Sequence, residues 1–182
     1  MKKDINSNGY IFLYATVLVV VVAVLLTVAA LWLQPYQQRN RANEKRAMIL
    51  AAAGVADGTI TFLDGELPVY LVNDSITVIP MQGKGLWGPI WGYFAIAADG
   101  KTVVGVTFDH KSETPGLGGE ITTEKFQEQF GGKQIRKNGQ LVPIEFDAIT
   151  GATKTSNGVK DMIDKTLEQY TPFFETLETT MK

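Results

Sequence analysis

Asp147-Ala-Ile-Thr150-Gly151-Ala152-Thr153-Lys154-Thr155-Ser156 is the stretch from which the rest of the chain is read. Hydroxyl residues flank Gly151-Ala152, so the backbone can turn tightly there without a bulky side chain in the way. Asn157-Gly158 follows, and then Val159, Met162, Ile163, Leu167 and Tyr170 recur at helical spacing. The pattern predicts a helix from about Asn157 to Tyr170, with Thr155, Ser156 and Asn157 as candidate N-caps. A helix start also offers unpaired N–H groups to an anion. Two readings stand side by side: a capped helix after a loop, or a small-residue turn presenting hydroxyls beside a phosphate seat.

Upstream, the pairing of strands is written in short turn signals. Leu67–Asn73 and Ile76–Pro80 read as a hairpin closed at Asn73-Asp74-Ser75. Trp91–Ala98 and Thr102–Phe108 read as a second, closed at Asp99-Gly100. Ile121–Phe130 predicts a short helix. Asn138-Gly139 predicts a third hairpin, whose outgoing strand Leu141–Phe146 leads into the Asp147 stretch. Pro172 is placed to open a last helix. The expected domain, residues 56–182, is α+β, with antiparallel hairpins and flanking helices.

Two glycine-rich stretches stand apart from ordinary connections. Gly83–Gly92 (Gly-Lys-Gly-Leu86-Trp87-Gly-Pro-Ile-Trp-Gly) lacks the Lys-Ser/Thr ending of a phosphate-binding P-loop. Its aromatic and aliphatic residues suit either a flat apolar ligand or a tryptophan plug over the end of the sheet. Glu113-Thr114-Pro115-Gly116-Leu117-Gly118-Gly119-Glu120 sets a turn at Pro115-Gly116. Its glycines let backbone approach a ligand closely, although the same residues could simply cap the following helix.

At the N-terminal end, no charged residue occurs between Ile5 and Gln38. Residues 11–33 are almost wholly apolar and would reach roughly 34 Å as a helix, enough for a hydrocarbon core of about 30 Å. Tyr10 and Tyr14 mark one end, and Trp32 and Tyr36 the other, as an interfacial aromatic belt would. The run is too long for a cleavable signal peptide. The expected order is a tail over 1–10, a transmembrane helix over 11–33 and a juxtamembrane helix over 34–55, with Pro35 placed to kink it and Gly54 to stop it. Lys2 and Lys3 precede the span, whereas Arg39, Arg41, Lys45 and Arg46 follow it, so charge counting places the domain in the cytoplasm.

Composition excludes several chemistries. A formal charge of −2 and a pI near 5.5 give no basis for a nucleic-acid partner. With no cysteine and a single histidine, His110, neither a thiolate nor a histidine-based metal site can form. His110 reads as a loop histidine at a strand end. No dinucleotide fingerprint follows a strand, which disfavours an independent flavin reductase.

Asp147-x-x-Thr150-Gly151-Ala152-Thr153 resembles the flavinylation motif of the FMN-binding domain family, and Glu113-Thr114-Pro115-Gly116-Leu117-Gly118 resembles that family's hallmark loop. The resemblance implies that Thr153 carries FMN as a phosphoester, attached by a separate flavin transferase that takes FMN from FAD and releases AMP. It implies cofactor contacts at Leu86, Trp87, Glu113, Thr114, Gly116, Leu117, Gly118, Thr150, Gly151, Ala152, Thr155 and Ser156, with no catalytic acid or base. Among members, the likeness is to flavin-carrying subunits of bacterial sodium-translocating NADH:quinone oxidoreductases. Such subunits sit in the cytoplasmic membrane with the flavin on the outer face, opposite to the charge count, and work beside other subunits of a redox complex. The alternatives are the related flavin-carrying member of the Rnf-type electron-transport complex and an anchored flavin-binding protein with no part in a pump. Three features depart from the family pattern: a shorter stretch between the anchor and Leu67, a shorter approach from Gly131 to Asp147, and Lys154 in place of an aliphatic residue.

Overall fold

The computed structural model describes residues 8–137 and 139–180. The chain divides between Lys45 and Arg46. Before that division the structure is part of helix α1, Asn8–Ala52, whose apolar side chains from Ile11 to Tyr36 are exposed. The helix is long and apolar enough to cross a membrane. Residues 11–33 and 34–55, expected as separate helices, fall on this single element as far as Ala52, where it ends. Pro35 lies inside it, where a missing N–H removes one ladder bond without ending the helix. Lys2 and Lys3 lie outside the described residues.

The folded unit is built on a five-stranded antiparallel meander: β1 (Ile60–Leu63), β2 (Val69–Val72), β3 (Ile76–Lys84), β4 (Pro89–Ile96) and β5 (Val103–His110), adjacent in chain order. Alternation along the strands assigns the two faces. Val69, Ile79, Met81, Phe94, Ile96, Val106 and Phe108 enter the larger core. Tyr70, Val72, Val78 and Ala95 enter a smaller one with Ile49, Leu50, Ala52 and Ala53 from the end of α1. Gly105 admits that end, because a Cβ there would stand 2.7 Å from the Ala52 carbonyl oxygen.

On the larger core's face lie α2 (Glu124–Gln127), α3 (Thr153–Gln169) and α4 (Thr171–Thr180). Helix α3 buries Val159, Met162, Ile163 and Leu167, the stripe read from the sequence. The fold is therefore the α+β arrangement expected, with hairpins closed where turn chemistry placed them. Asn73 and Asp74 take φ of 51° and 54°, and Gly100 takes 65°.

Five local expectations fail for identifiable reasons. Strand β1 lies between Gly58 and Gly65, glycines that read as bracketing a loop, although Ile60-Thr61-Phe62-Leu63 is β-prone; it pairs with β2, Ile60↔Val72 to Leu63↔Val69. Gly83–Gly92 is not one long loop, because β3 and β4 stay paired to Lys84↔Pro89, leaving a four-residue tip. The Ile121–Phe130 helix is broken into 3-10 turns on either side of α2, since Thr123 is extended at φ −77°, ψ 145°. The third hairpin is reduced to β6 (Arg136–Lys137) and β7 (Gln140–Leu141); Val142–Phe146 pairs with no strand, and Asn138 lies outside the described residues. Finally, α3 begins at Thr153 rather than Asn157.

Candidate functional site

Three segments meet around one buried carboxylate. Glu113 is 4% exposed. Its Oε1 accepts the Trp87 backbone N–H at 2.8 Å, from the tip of the β3–β4 hairpin. Its Oε2 accepts the Thr155 hydroxyl at 2.7 Å, from the first turn of α3. The Glu113 N–H donates to His110 Nδ1 at 3.2 Å, which ties the loop to the last residue of β5. Burial alone would push this carboxyl up. The hydrogen bonds from Thr155, Trp87 and Gly88, with His110 nearby, outweigh it and hold the group below its ordinary value.

Glycine makes room for that carboxylate. A Cβ on Gly85 would stand 2.5 Å from Oε1, and one on Gly118 would stand 2.4 Å from Oε2 and 2.7 Å from Thr155 Oγ1. Gly158 lets α3 lie on the hairpin, since a Cβ there would sit 2.4 Å from the Lys84 carbonyl oxygen. This packing explains the early helix start: Asn157-Gly158 reads locally as a boundary, but the glycine is demanded inside α3 by the neighbouring strand.

Above this floor the side chains turn outward. Leu86 is 44%, Trp87 67% and Leu117 42% exposed. Two turns of similar build meet beside them. Leu117 N–H donates to Thr114 O at 3.1 Å, and Ala152 N–H to Ile149 O at 2.9 Å; the third residues, Gly116 and Gly151, have φ of 74° and 79°. Leu117 Cδ2 lies 3.0 Å from where a Gly151 Cβ would be, so the turns pack against each other. Gly116, by contrast, has no described atom beyond its own chain neighbours within 4 Å of that position, so the space there is open.

Helix α3 starts without a side-chain cap, from Ala152 at φ −126°, ψ 35°. Its ladder opens with Ser156 N–H to Ala152 O at 3.0 Å, so the N–H groups of Thr153, Lys154 and Thr155 precede the first such bond. Thr153 is the first helical residue and is exposed. Thr155 and Ser156, expected as caps, are interior helix positions, each 1% exposed. Ser156 Oγ instead accepts the Ile149 N–H at 3.0 Å and donates to Ala152 O at 3.1 Å, which fixes the turn ahead of Thr153.

The approach to this turn is held from outside the motif. Asp147 N–H donates to Gln129 Oε1 at 2.7 Å, and Gln129 Nε2 donates to Asp147 O at 3.5 Å. Phe146 packs on Phe126 and Phe130, with ring centroids 5.5 and 4.9 Å away. Clefts of about 490 and 520 Å³ lie along the extended segment, both lined by Gln129, Asp147 and Ala148; neither is lined by Leu86, Trp87, Leu117 or Thr153.

Residues 85–168, from the hairpin tip through α3, match the FMN-binding domain family. These residues form a domain of that family. It is 36% identical over 146 residues to a Na(+)-translocating NADH-quinone reductase subunit of Vibrio vulnificus, covering 71% of this chain and 57% of that protein. The corresponding subunit of Pasteurella multocida is 38% identical over 129 residues, covering 60% and 50%. The chain thus spans about half the length of these relatives. The crystal structure of the same reductase subunit from Parabacteroides distasonis superposes with a TM-score of 0.66 at 29% identity, covering 78% of this chain and 96% of that one. The Shewanella oneidensis NqrC structure, at 24% identity and a TM-score of 0.65, shares the fold.

An FMN-binding domain needs an apolar surface for a flat ring and donors for a phosphate. Leu86, Trp87 and Leu117 fit the first requirement, and the open start of α3 beside the Thr153 hydroxyl fits the second. Gln129, Gly158 and His110 contribute to the arrangement, yet the sequence does not single them out for the site. The partners of Gln129 and Gly158 lie far along the chain, so no local pattern could reveal them, whereas His110 pairs only three residues on, with the Glu113 N–H.

Proposed function

We propose that this chain is a membrane-anchored electron-transfer subunit of a sodium-translocating NADH:quinone oxidoreductase, carrying FMN as a phosphoester on Thr153. One observation carries the assignment. Of the four motif hydroxyls, Thr155 and Ser156 are buried and bonded, whereas Thr150 and Thr153 are accessible, and only Thr153 stands on the helix start. An anionic phosphodiester at that position gains from the helix dipole, by up to about 1 kcal/mol at an exposed site.

FMN, when bound, supplies the redox chemistry and passes electrons singly or in pairs. The chain's residues bind and orient. Trp87, Leu86 and Leu117 would cover the ring's apolar surface and the first turn of α3 would receive the phosphate, while Glu113 holds the loops that present them. No histidine or cysteine lies beside Thr153 in sequence to activate its weakly nucleophilic hydroxyl, which supports attachment by a separate flavin transferase. Helix α1 is the membrane anchor in this reading, with the domain on the outer face of the bacterial cytoplasmic membrane and the other subunits of the redox complex as partners. Likeness to the NADH-quinone reductase subunits favours this complex over the Rnf-type one.

Co-expression with a flavin transferase followed by intact-mass measurement tests the attachment. Wild type should gain one FMN phosphoester and fluoresce in a denaturing gel. Thr153→Ala should lose both signals while keeping a wild-type melting temperature, because an exposed hydroxyl alone is removed. A flavin peptide mapped to Thr150 would overturn the assignment. Protease added to intact spheroplasts should digest the domain; protection until lysis would place it in the cytoplasm, as the charge count does.

A further inference from the structure

Glu113 contributes a buried charge that the attachment chemistry does not use. Every hydrogen bond at its carboxylate oxygens comes from a donor: the Trp87 N–H on Oε1, the Thr155 hydroxyl on Oε2, and the neighbouring Gly88 N–H. Glycines at 85 and 118 let both segments close tightly on the carboxylate. One side of the clamp is the backbone of Trp87, which carries an exposed ring; the other is Thr155, two residues beyond Thr153. Outward, the same cluster presents Leu117 against the Gly151 turn.

We propose that Glu113 is a positioning residue that also tunes the cofactor: its clamped, ionised carboxylate fixes the rim against the start of α3 and places a permanent negative charge beneath the surface where electrons are received. The proposal rests on FMN occupying that surface. A fixed negative charge disfavours adding electrons nearby, so it lowers the reduction potential of the bound flavin. The Thr155 O–H dipole points its positive end at Oε2 and partly offsets this charge. Removing the charge and removing the dipole must therefore move the potential in opposite directions. Mere loosening of the loops gives no such opposition.

The test is an anaerobic spectroscopic redox titration of the full, flavinylated chain in detergent, with wild type, Glu113→Gln and Thr155→Val compared. Glutamine keeps the shape and an acceptor for the Trp87 N–H, and the Thr155 hydroxyl can rotate to accept from the new amide. At the wild-type midpoint potential, Glu113→Gln should be about tenfold richer in reduced flavin, the scale of one charge across a short, partly buried distance. Thr155→Val should be about two- to threefold richer in oxidised flavin, since a single dipole acts more weakly than a full charge. Equal potentials for wild type and Glu113→Gln, or shifts of the same sign in both variants, would overturn the proposal. If Glu113→Gln fails to fold by circular dichroism, the sign for Thr155→Val decides: a shift toward oxidised flavin supports it, and no shift or the reverse sinks it. A wild-type chain that gains no flavin mass overturns the functional reading and this inference with it, whereas flavinylated proteins without opposite shifts sink the inference alone.

Discussion

The floor and the rim of the site come from the same loops and obey different rules. On the floor, Gly85, Glu113, Gly118, Thr155 and Gly158 are fixed by contact: a methyl group added at any of the three glycines would meet a carboxylate or a backbone carbonyl. On the rim, Leu86, Trp87, Leu117 and Thr153 are exposed, and Gly116 has open space around it. Gly116 and Gly118 make the contrast within one loop. The first is glycine for its backbone angle, the second for want of room. Floor substitutions should therefore cost stability, and rim substitutions should chiefly alter what the surface binds.

The largest effect is expected at Gly158. Alanine is favoured over glycine inside a helix by about 1 kcal/mol. Here its Cβ would stand 2.4 Å from the Lys84 carbonyl oxygen and 3.4 Å from Gly85 Cα, both backbone atoms. Overpacking of this kind costs about 1–3 kcal/mol, and the backbone nature of both neighbours puts this site at the upper end. Gly158→Ala should lower stability by about 2 kcal/mol in urea unfolding, against the helix-propensity trend. An unchanged or raised midpoint would mean that α3 can move off the hairpin and that the floor is soft.

Gly118→Ala comes next. Its obstacles are side-chain oxygens, Glu113 Oε2 at 2.4 Å and Thr155 Oγ1 at 2.7 Å, which can shift if their bond breaks. The expected loss is about 1.5 kcal/mol, the worth of a hydrogen bond to a charged group. Hydrogen exchange should accelerate at the Trp87 amide, because it shares the displaced carboxylate.

Acid should weaken the floor as well. The folded-state pKa of Glu113 is depressed below 4.5, so its contribution is complete above that pH and is lost as pH falls through the lower folded value. The difference in stability between wild type and Glu113→Gln should shrink as pH falls below 4.5. A difference that stays constant as pH falls would show that the carboxylate's ionisation does not support the fold.

The contrast between floor and rim also marks what can be read from the chain. Turn residues announce themselves locally, so Asn73-Asp74, Asp99-Gly100 and Pro115-Gly116 locate their turns, and the Val159–Leu167 stripe locates the buried face of α3. The rim residues are recognisable as exposed-loop apolar groups flanked by glycine. The floor is not legible, because its bonds join residues 26 and 42 positions apart in the chain. For the same reason Thr155 and Ser156 pass for caps. Their hydroxyls do bond, but to Glu113 and to the Ile149–Ala152 turn, not to the free N–H groups of the helix start. The Gln129 clamp on Asp147 likewise exists only through a partner that no local pattern links to it.

The smallest stability effect is expected at Gly116. Beyond its own chain neighbours, no described atom lies within 4 Å of a Cβ at this position. What remains is the backbone angle of +74°, which costs an L-residue about 1–2 kcal/mol, and a β-branched one more than alanine. The turn can relieve part of this by giving up the Leu117 N–H to Thr114 O bond, worth about 1 kcal/mol, at the exposed surface. The net loss should therefore stay near 1 kcal/mol, below that for Gly158→Ala and Gly118→Ala. Gly116→Ala separates the two causes. If angle strain dominates, alanine and valine should differ by only about a few tenths of a kcal/mol in unfolding, with covalent flavin retained in both. A valine variant much less stable than the alanine one would show that Gly116 is crowded after all, and the division between floor and rim would fail within the loop that defines it.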